Sequence, residues 1–184
     1  MRKKFFIRKP GVPFKIFSES ISIQKRHYSS YINLAEAAYK ICQVFLNFSS
    51  QITEAQNRVL FVLMGYSVEL SLKAFILCKD YSEEIKNEIK DPARGHNLEY
   101  LLNRAKRKGL IFLKKEEIKL ICKLNKYYED SGFRYYEDKK SKETLFFLMK
   151  PQYIKDCIDI INKIHKGVEL ERKNYKKTYE EKYC

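Results

Sequence analysis

Glu69 and Lys73 stand four residues apart inside an otherwise apolar stretch, Val59–Cys78. On a helix that spacing puts both on one face, with the acid N-terminal in the order that favours pairing. Two roles fit such a pair: a structural ion pair at the rim of the core, or two groups lining a cleft. Of the three histidines, His27 lies in a basic N-terminal stretch and His165 falls at core spacing after Ile158 and Ile161. His96 sits at a helix start, where its imidazole either caps the helix or stands beside the Glu69 face. A further concentration of polar and aromatic groups, Arg134-Tyr135-Tyr136, lies in Asp130–Lys142, which has no hydrophobic period and reads as a loop. The sequence holds no glycine-rich phosphate loop, HExxH, EF-hand loop, GxSxG or paired-cysteine signature.

The elements that must carry these groups are helical. Val59–Cys78 is long enough to suggest a membrane span, but each ionisable group near its middle would cost about 2.5–3.5 kcal/mol at a bilayer centre. A central core helix from near Gln51 to Lys79 is therefore expected. Before it, Leu34, Ala38, Ile41, Cys42 and Phe45 share a helical face, with Ser29 or Ser30 as cap. After it come a short helix around Ser82–Ile89, the breaker Asp91-Pro92, and a helix capped by Asn97 that carries Leu98, Leu101, Leu102 and Ala105 to a stop at Gly109. An amphipathic segment at Lys114–Tyr128 follows. Pro151 opens a last helix whose core stripe is Ile154, Cys157, Ile158, Ile161, Ile164 and Val168. The fold class expected is all-α, an up-and-down helical bundle of about five helices. The domain reading is a basic N-terminal arm at 1–28, with a short strand or turn near Ile21 and Ile23, a bundle at 29–172, and a basic tail at 173–184.

The chain has 184 residues and a net charge of +14, an excess that favours polyanions such as RNA, DNA or anionic lipid. Five scattered cysteines without a CxxC pair are expected to be reduced thiols, acting mostly as small hydrophobes in a cytoplasmic protein, with no metal site. The N-terminal Phe5-Phe6-Ile7 is too short for a signal sequence, being broken by Arg8, Lys9 and Pro10.

The order of parts resembles a HEPN domain, an all-helical bundle of prokaryotic toxin, antiphage and nucleotidyltransferase-associated proteins. Carrying that resemblance are Glu69-Leu70-Ser71-Leu72-Lys73-Ala74 on the central helix, Gly95-His96-Asn97-Leu98, and Phe133-Arg134-Tyr135 before the final helix. It covers roughly residues 30–170. The resemblance implies a module that binds RNA or a nucleotide, a homodimer, and no cofactor. The family's RNases use an Arg followed a few residues later by a His, a spacing this chain lacks: Arg94 is too close to His96, and Arg134 has no His until His165. Glu69, Lys73, His96 and Arg134 match recurrent family positions. In that shared site Lys73 and Arg134 would hold phosphate, Glu69 would orient a cation, Tyr135 would stack on a base, and His96 would move a proton. Two other readings follow from the same resemblance: a metal-independent RNase toxin using His96 and Arg134, and a structural dimerisation subunit for a nucleotidyltransferase partner. No membrane partner is expected.

Overall fold

A computed structural model of the protein describes residues 14–48, 53–129 and 151–183. Six helices account for nearly all of them, and no strand occurs among the described residues. They are α1 (Phe14–Phe48), α2 (Glu54–Lys79), α3 (Glu83–Lys90), α4 (Leu98–Arg107), α5 (Lys115–Glu129) and α6 (Pro151–Tyr183). The all-α bundle expected from the periodicity is what forms.

The bundle is organised around α2, which packs against all five other helices. Thr53 starts α2 with a capping box: its hydroxyl accepts the Gln56 amide at 3.3 Å, and Gln56 Oε1 accepts the Thr53 amide at 2.8 Å. Beyond the cap, Leu60, Phe61, Met64, Leu72, Phe75 and Ile76 are essentially without solvent contact. Each such side chain contributes about 1.5–3 kcal/mol by leaving water. The helix is long and apolar enough to cross a membrane, yet 78% of its apolar window is buried by its neighbours.

Consecutive long helices run antiparallel. On α1 and α2, Cys42 Sγ lies against the Leu60 carbonyl and Tyr28 lies close to Cys78, which sets the register of a long hairpin. Asn125 of α5 reaches the start of α4 at Leu98, while Glu117 of α5 pairs with Lys163 of α6 and Leu120 accepts from Tyr153. These contacts set α5 antiparallel to both neighbours. The final helix then runs parallel to α2, with Ser71 beside His165 and Lys79 beside Glu171.

The structure differs from the sequence reading at the N-terminal end. α1 begins at Phe14, directly after Pro13, so the strand or turn near Ile21 and Ile23 is not formed and neither Ser29 nor Ser30 is a cap. Phe14, Phe17 and Ile21 recur at helical spacing through the same stretch, and joining an existing helix removes the cost of a new nucleus. At the other end α6 continues through Tyr183, beyond Gly167. Asn97 caps α4 and Gly109 ends it with a φ of 101°, as expected, and Ser82 caps α3. The six stripe residues of the last helix are all buried.

Candidate functional site

Glu69 lies at the middle of α2 with a side chain only 1% exposed, and both of its oxygens are engaged. Lys73 Nζ donates to Oε1 at 2.7 Å from the next turn of the helix. Oε2 accepts the Tyr128 hydroxyl at 2.6 Å and lies 3.0 Å from His96 Nδ1. Four residues from three parts of the chain thus meet at one buried carboxylate. Tyr31 of α1 stands near enough that burial, and then the Glu69 charge, push its phenol above the ordinary value.

Local structure explains how each partner arrives. Asp91 Oδ1 accepts the amides of Ala93 and Arg94, and its carbonyl accepts the Gly95 amide at 2.7 Å, closing a tight turn after α3. A Cβ on residue 95 would stand 2.2 Å from the Ile89 carbonyl oxygen, so only glycine lets the chain pass this close. The turn delivers His96 over Glu69, and α4 is capped by its neighbour: Asn97 Oδ1 accepts the Tyr100 amide at 2.7 Å. Asn125 Oδ1 accepts the Leu98 amide at 2.7 Å, which fastens this corner to α5 and brings Tyr128, one turn further along, onto α2.

The electrostatics determine what the imidazole can do. Lys73 balances the Glu69 charge inside the core, so His96 need not be protonated for neutrality. An ionised carboxylate only accepts hydrogen bonds, so Nδ1 carries a proton, and a neutral ring in this position has its lone pair on Nε2. The His96 side chain is 47% exposed while its partner is buried. A half-exposed imidazole held in one tautomer by a buried acid can accept a proton from a ligand hydroxyl or donate one when charged.

Of the residues singled out in the sequence, Glu69, Lys73 and His96 converge. The ion pair is buried and carries a half-exposed histidine. Arg134 and Tyr135, like the Leu145–Met149 segment, lie outside the described residues. Tyr128 was missed as a site residue. Its signal was Gly65, a glycine inside an apolar helix one turn before Glu69: a Cβ there would come within 2.1 Å of the Tyr128 ring.

A second polar cluster has the membership of a hydrolase triad without its polarity. Ser71 Oγ lies 2.9 Å from His165 Nε2, and Glu36 Oε1 is 3.9 Å from Nδ1. Ser71 donates its own proton to the Ser67 carbonyl at 2.8 Å, so the imidazole donates to the hydroxyl and cannot activate it. Ser71 is also fully buried, and the cluster is a structural tie between α2 and α6. Burial lowers the His165 pKa, against the opposing pull of Glu36 and Glu169.

A groove of about 570 Å³ between α5 and α6, lined by Glu116, Glu117, Asp156, Asp159 and Lys163 among others, contains none of the predicted site residues. Among the described residues no group of three or more His, Cys, Asp or Glu could hold a metal ion. Four free cysteines are described, all buried or half-buried; burial pushes the Cys42 thiol up to about 12 and Cys78 up to about 11, as suits packed rather than reactive thiols. Comparison with known proteins finds no matching family model, no matching curated protein and no matching solved structure.

Proposed function

We propose that the protein is a HEPN-type module that binds RNA or a nucleotide in a prokaryotic defence or toxin–antitoxin system, with the Glu69 centre as its ligand site. The observation that carries this reading is the half-exposed His96 held by a buried acid. Here the fold spends a buried, charge-balanced glutamate on orienting a ring that faces outward. Arg134 and Tyr135 would complete the site by gripping phosphate and stacking on a base.

The same imidazole favours a second reading, a metal-independent RNase in which His96 takes the proton from a ribose hydroxyl and Arg134 stabilises the charged phosphate. Titration of purified protein with single-stranded RNA, in parallel with a cleavage assay, separates the two. Binding without cleavage, weakened by Arg134→Ala and by His96→Ala in variants that circular dichroism shows to be folded at the assay temperature, supports the module. Cleavage abolished by either substitution supports the RNase. RNA affinity indifferent to both removes the site.

The module is a homodimer in this reading. Support comes from the outer face of the α1–α2 hairpin, where Leu34, Ile41 and Val44 are 50%, 46% and 54% exposed, and Ala37 falls between them in the alternating three- and four-residue spacing of a coiled-coil seam. In the hairpin register Val59 and Tyr66, also exposed, stand opposite Val44 and Ala37. A contiguous apolar strip of this kind is costly to leave in water. Sedimentation of wild type against Ile41→Glu tests it: a dimer converted to a monomer is expected, and a wild-type monomer at micromolar concentration overturns it.

A further inference from the structure

The connection between α4 and α5 places its apolar residues in two opposite environments. Ala105 and Leu110 are buried together across the end of α4, where the Leu110 amide returns to the Ala105 carbonyl at 3.0 Å and the Gly109 amide to the Lys106 carbonyl at 2.9 Å. This is the hydrogen-bond pattern that a left-handed glycine closes. Leu113 is buried at the other end, and Glu117 Oε2 accepts the Lys114 amide at 2.7 Å to begin α5. Between these two anchors Ile111 is 85% exposed and Phe112 43% exposed. The Phe112 ring is braced from below against Phe75, 6.2 Å between centroids, and against Gly167. The tip is therefore a rigid apolar protrusion, since both ends are held.

Cations surround it. Arg107 precedes the tip, and Lys114 and Lys115 follow it, all exposed. The nearby acids include Asp80, which holds Lys108, Glu171, which holds Lys79, Glu117, which holds Lys163, and the exposed Glu116, which pairs with Lys119. Exposed cations thus flank Ile111 on both sides in the chain. Leu170, three residues beyond Gly167 on α6, adds a further exposed apolar group on that helix.

We propose that this loop is a peripheral docking element for an anionic lipid surface, with Ile111 and Phe112 entering the headgroup boundary and Arg107, Lys114 and Lys115 pairing with lipid phosphates and carboxylates. The small apolar area favours a bilayer over a protein partner. Two or three exposed apolar side chains fall far short of the roughly 1,200 Å² that a specific protein interface buries. Shallow insertion combined with several basic residues is sufficient for reversible membrane adsorption. The absence of a membrane partner expected from the sequence rested on α2 being a core helix; a loop that touches a leaflet without crossing it is a separate attachment. It is also independent of the Glu69 site, so neither proposal depends on the other.

The chain contains no tryptophan, so Ile111→Trp installs a single indole at the tip. With vesicles of phosphatidylcholine mixed equally with phosphatidylserine, its emission is expected to shift to the blue and to be quenched by brominated acyl chains; vesicles of phosphatidylcholine alone should give neither. In co-sedimentation, Ile111→Asp should weaken binding to the anionic vesicles about tenfold or more. Lys114→Ala with Lys115→Ala should weaken it by about fivefold per charge. The exposed position of residue 111 leaves the melting temperature of its variants unchanged. Failure of the wild-type protein to sediment with anionic vesicles overturns the proposal. So does binding that is salt-labile but indifferent to Ile111→Asp, which would be adsorption of a basic chain by charge alone. Capture of an acidic protein through Ile111, with no vesicle binding, overturns it in favour of a protein partner.

Discussion

Tyr128 lies across the bare backbone of Gly65, and its hydroxyl reaches Glu69 Oε2 one helical turn further on, at 2.6 Å. The missing side chain and the buried acid form a single device: the glycine opens the slot, the ring fills it, and the hydroxyl satisfies the carboxylate. In an ordinary exposed helix, replacing glycine by alanine stabilises by roughly 1 kcal/mol. Here Gly65→Ala is expected to destabilise by about 1–3 kcal/mol, because the new methyl overlaps the ring. Urea denaturation of the variant checks the sign.

Tyr128→Phe keeps the ring in the slot and removes only the hydroxyl. Hydrogen bonds to charged groups contribute about 1.5–3 kcal/mol, and the loss should fall in that range. A loss near zero, measured by the same denaturation experiment, would mean that Lys73 and His96 satisfy the carboxylate unaided.

Glu69→Leu strands the Lys73 ammonium in the core and is expected to cost about 3–5 kcal/mol. Glu69→Leu combined with Lys73→Met removes both charges together and should recover most of that loss. A double-mutant cycle on thermal unfolding measures the coupling. Additive losses would show that the two groups do not depend on each other.

His165 gives the fold a pH dependence near neutrality. Burial holds its folded pKa below the ordinary histidine value of 6.5, so the unfolded chain takes up the proton first as the pH falls. Stability is therefore full above 6.5 and declines from there down to the lowered folded value. Glu36 and Glu169 soften this by favouring the charged ring. Asp80 and Glu117 titrate lower: burial, the largest single influence, raises their pKa values, but the hydrogen bonds and charges of their partners, Lys108 and Ser82 for Asp80 and Lys163 and Lys114 for Glu117, together outweigh it and hold them below 3.8 and 4.5. Their stabilisation is lost only as the pH drops through those lower values. Chemical denaturation across pH should show two separate declines, and His165→Gln should abolish the first while leaving the second.

Helix positions were legible because they depend on local rules. Thr53 was not singled out, yet α2 begins within a few residues of the expected Gln51 and ends at the expected Lys79. The Asn97 cap, the Gly109 stop and the Pro151 start were each readable from one residue with a known backbone preference. α1 was read too short because Ile21 and Ile23 carry a two-residue alternation on top of a helical spacing. A single helix runs through them.

The sequence by itself determined that Glu69 and Lys73 pair, since a separation of four residues on a helix makes their contact a property of the helix. It also placed His96 at the start of α4, adjacent to the residue that caps it. Only the tertiary structure decided that the pair is buried, that Tyr128 closes it, and that His96 meets it with a half-exposed ring. Those contacts join residues 27 and 59 positions apart. They arise because α4 and α5 pack together on α2 at the register that the Asn125–Leu98 bond and the Gly65 slot permit. Packing register depends on the fit of many side chains at once, and no single spacing in the chain encodes it.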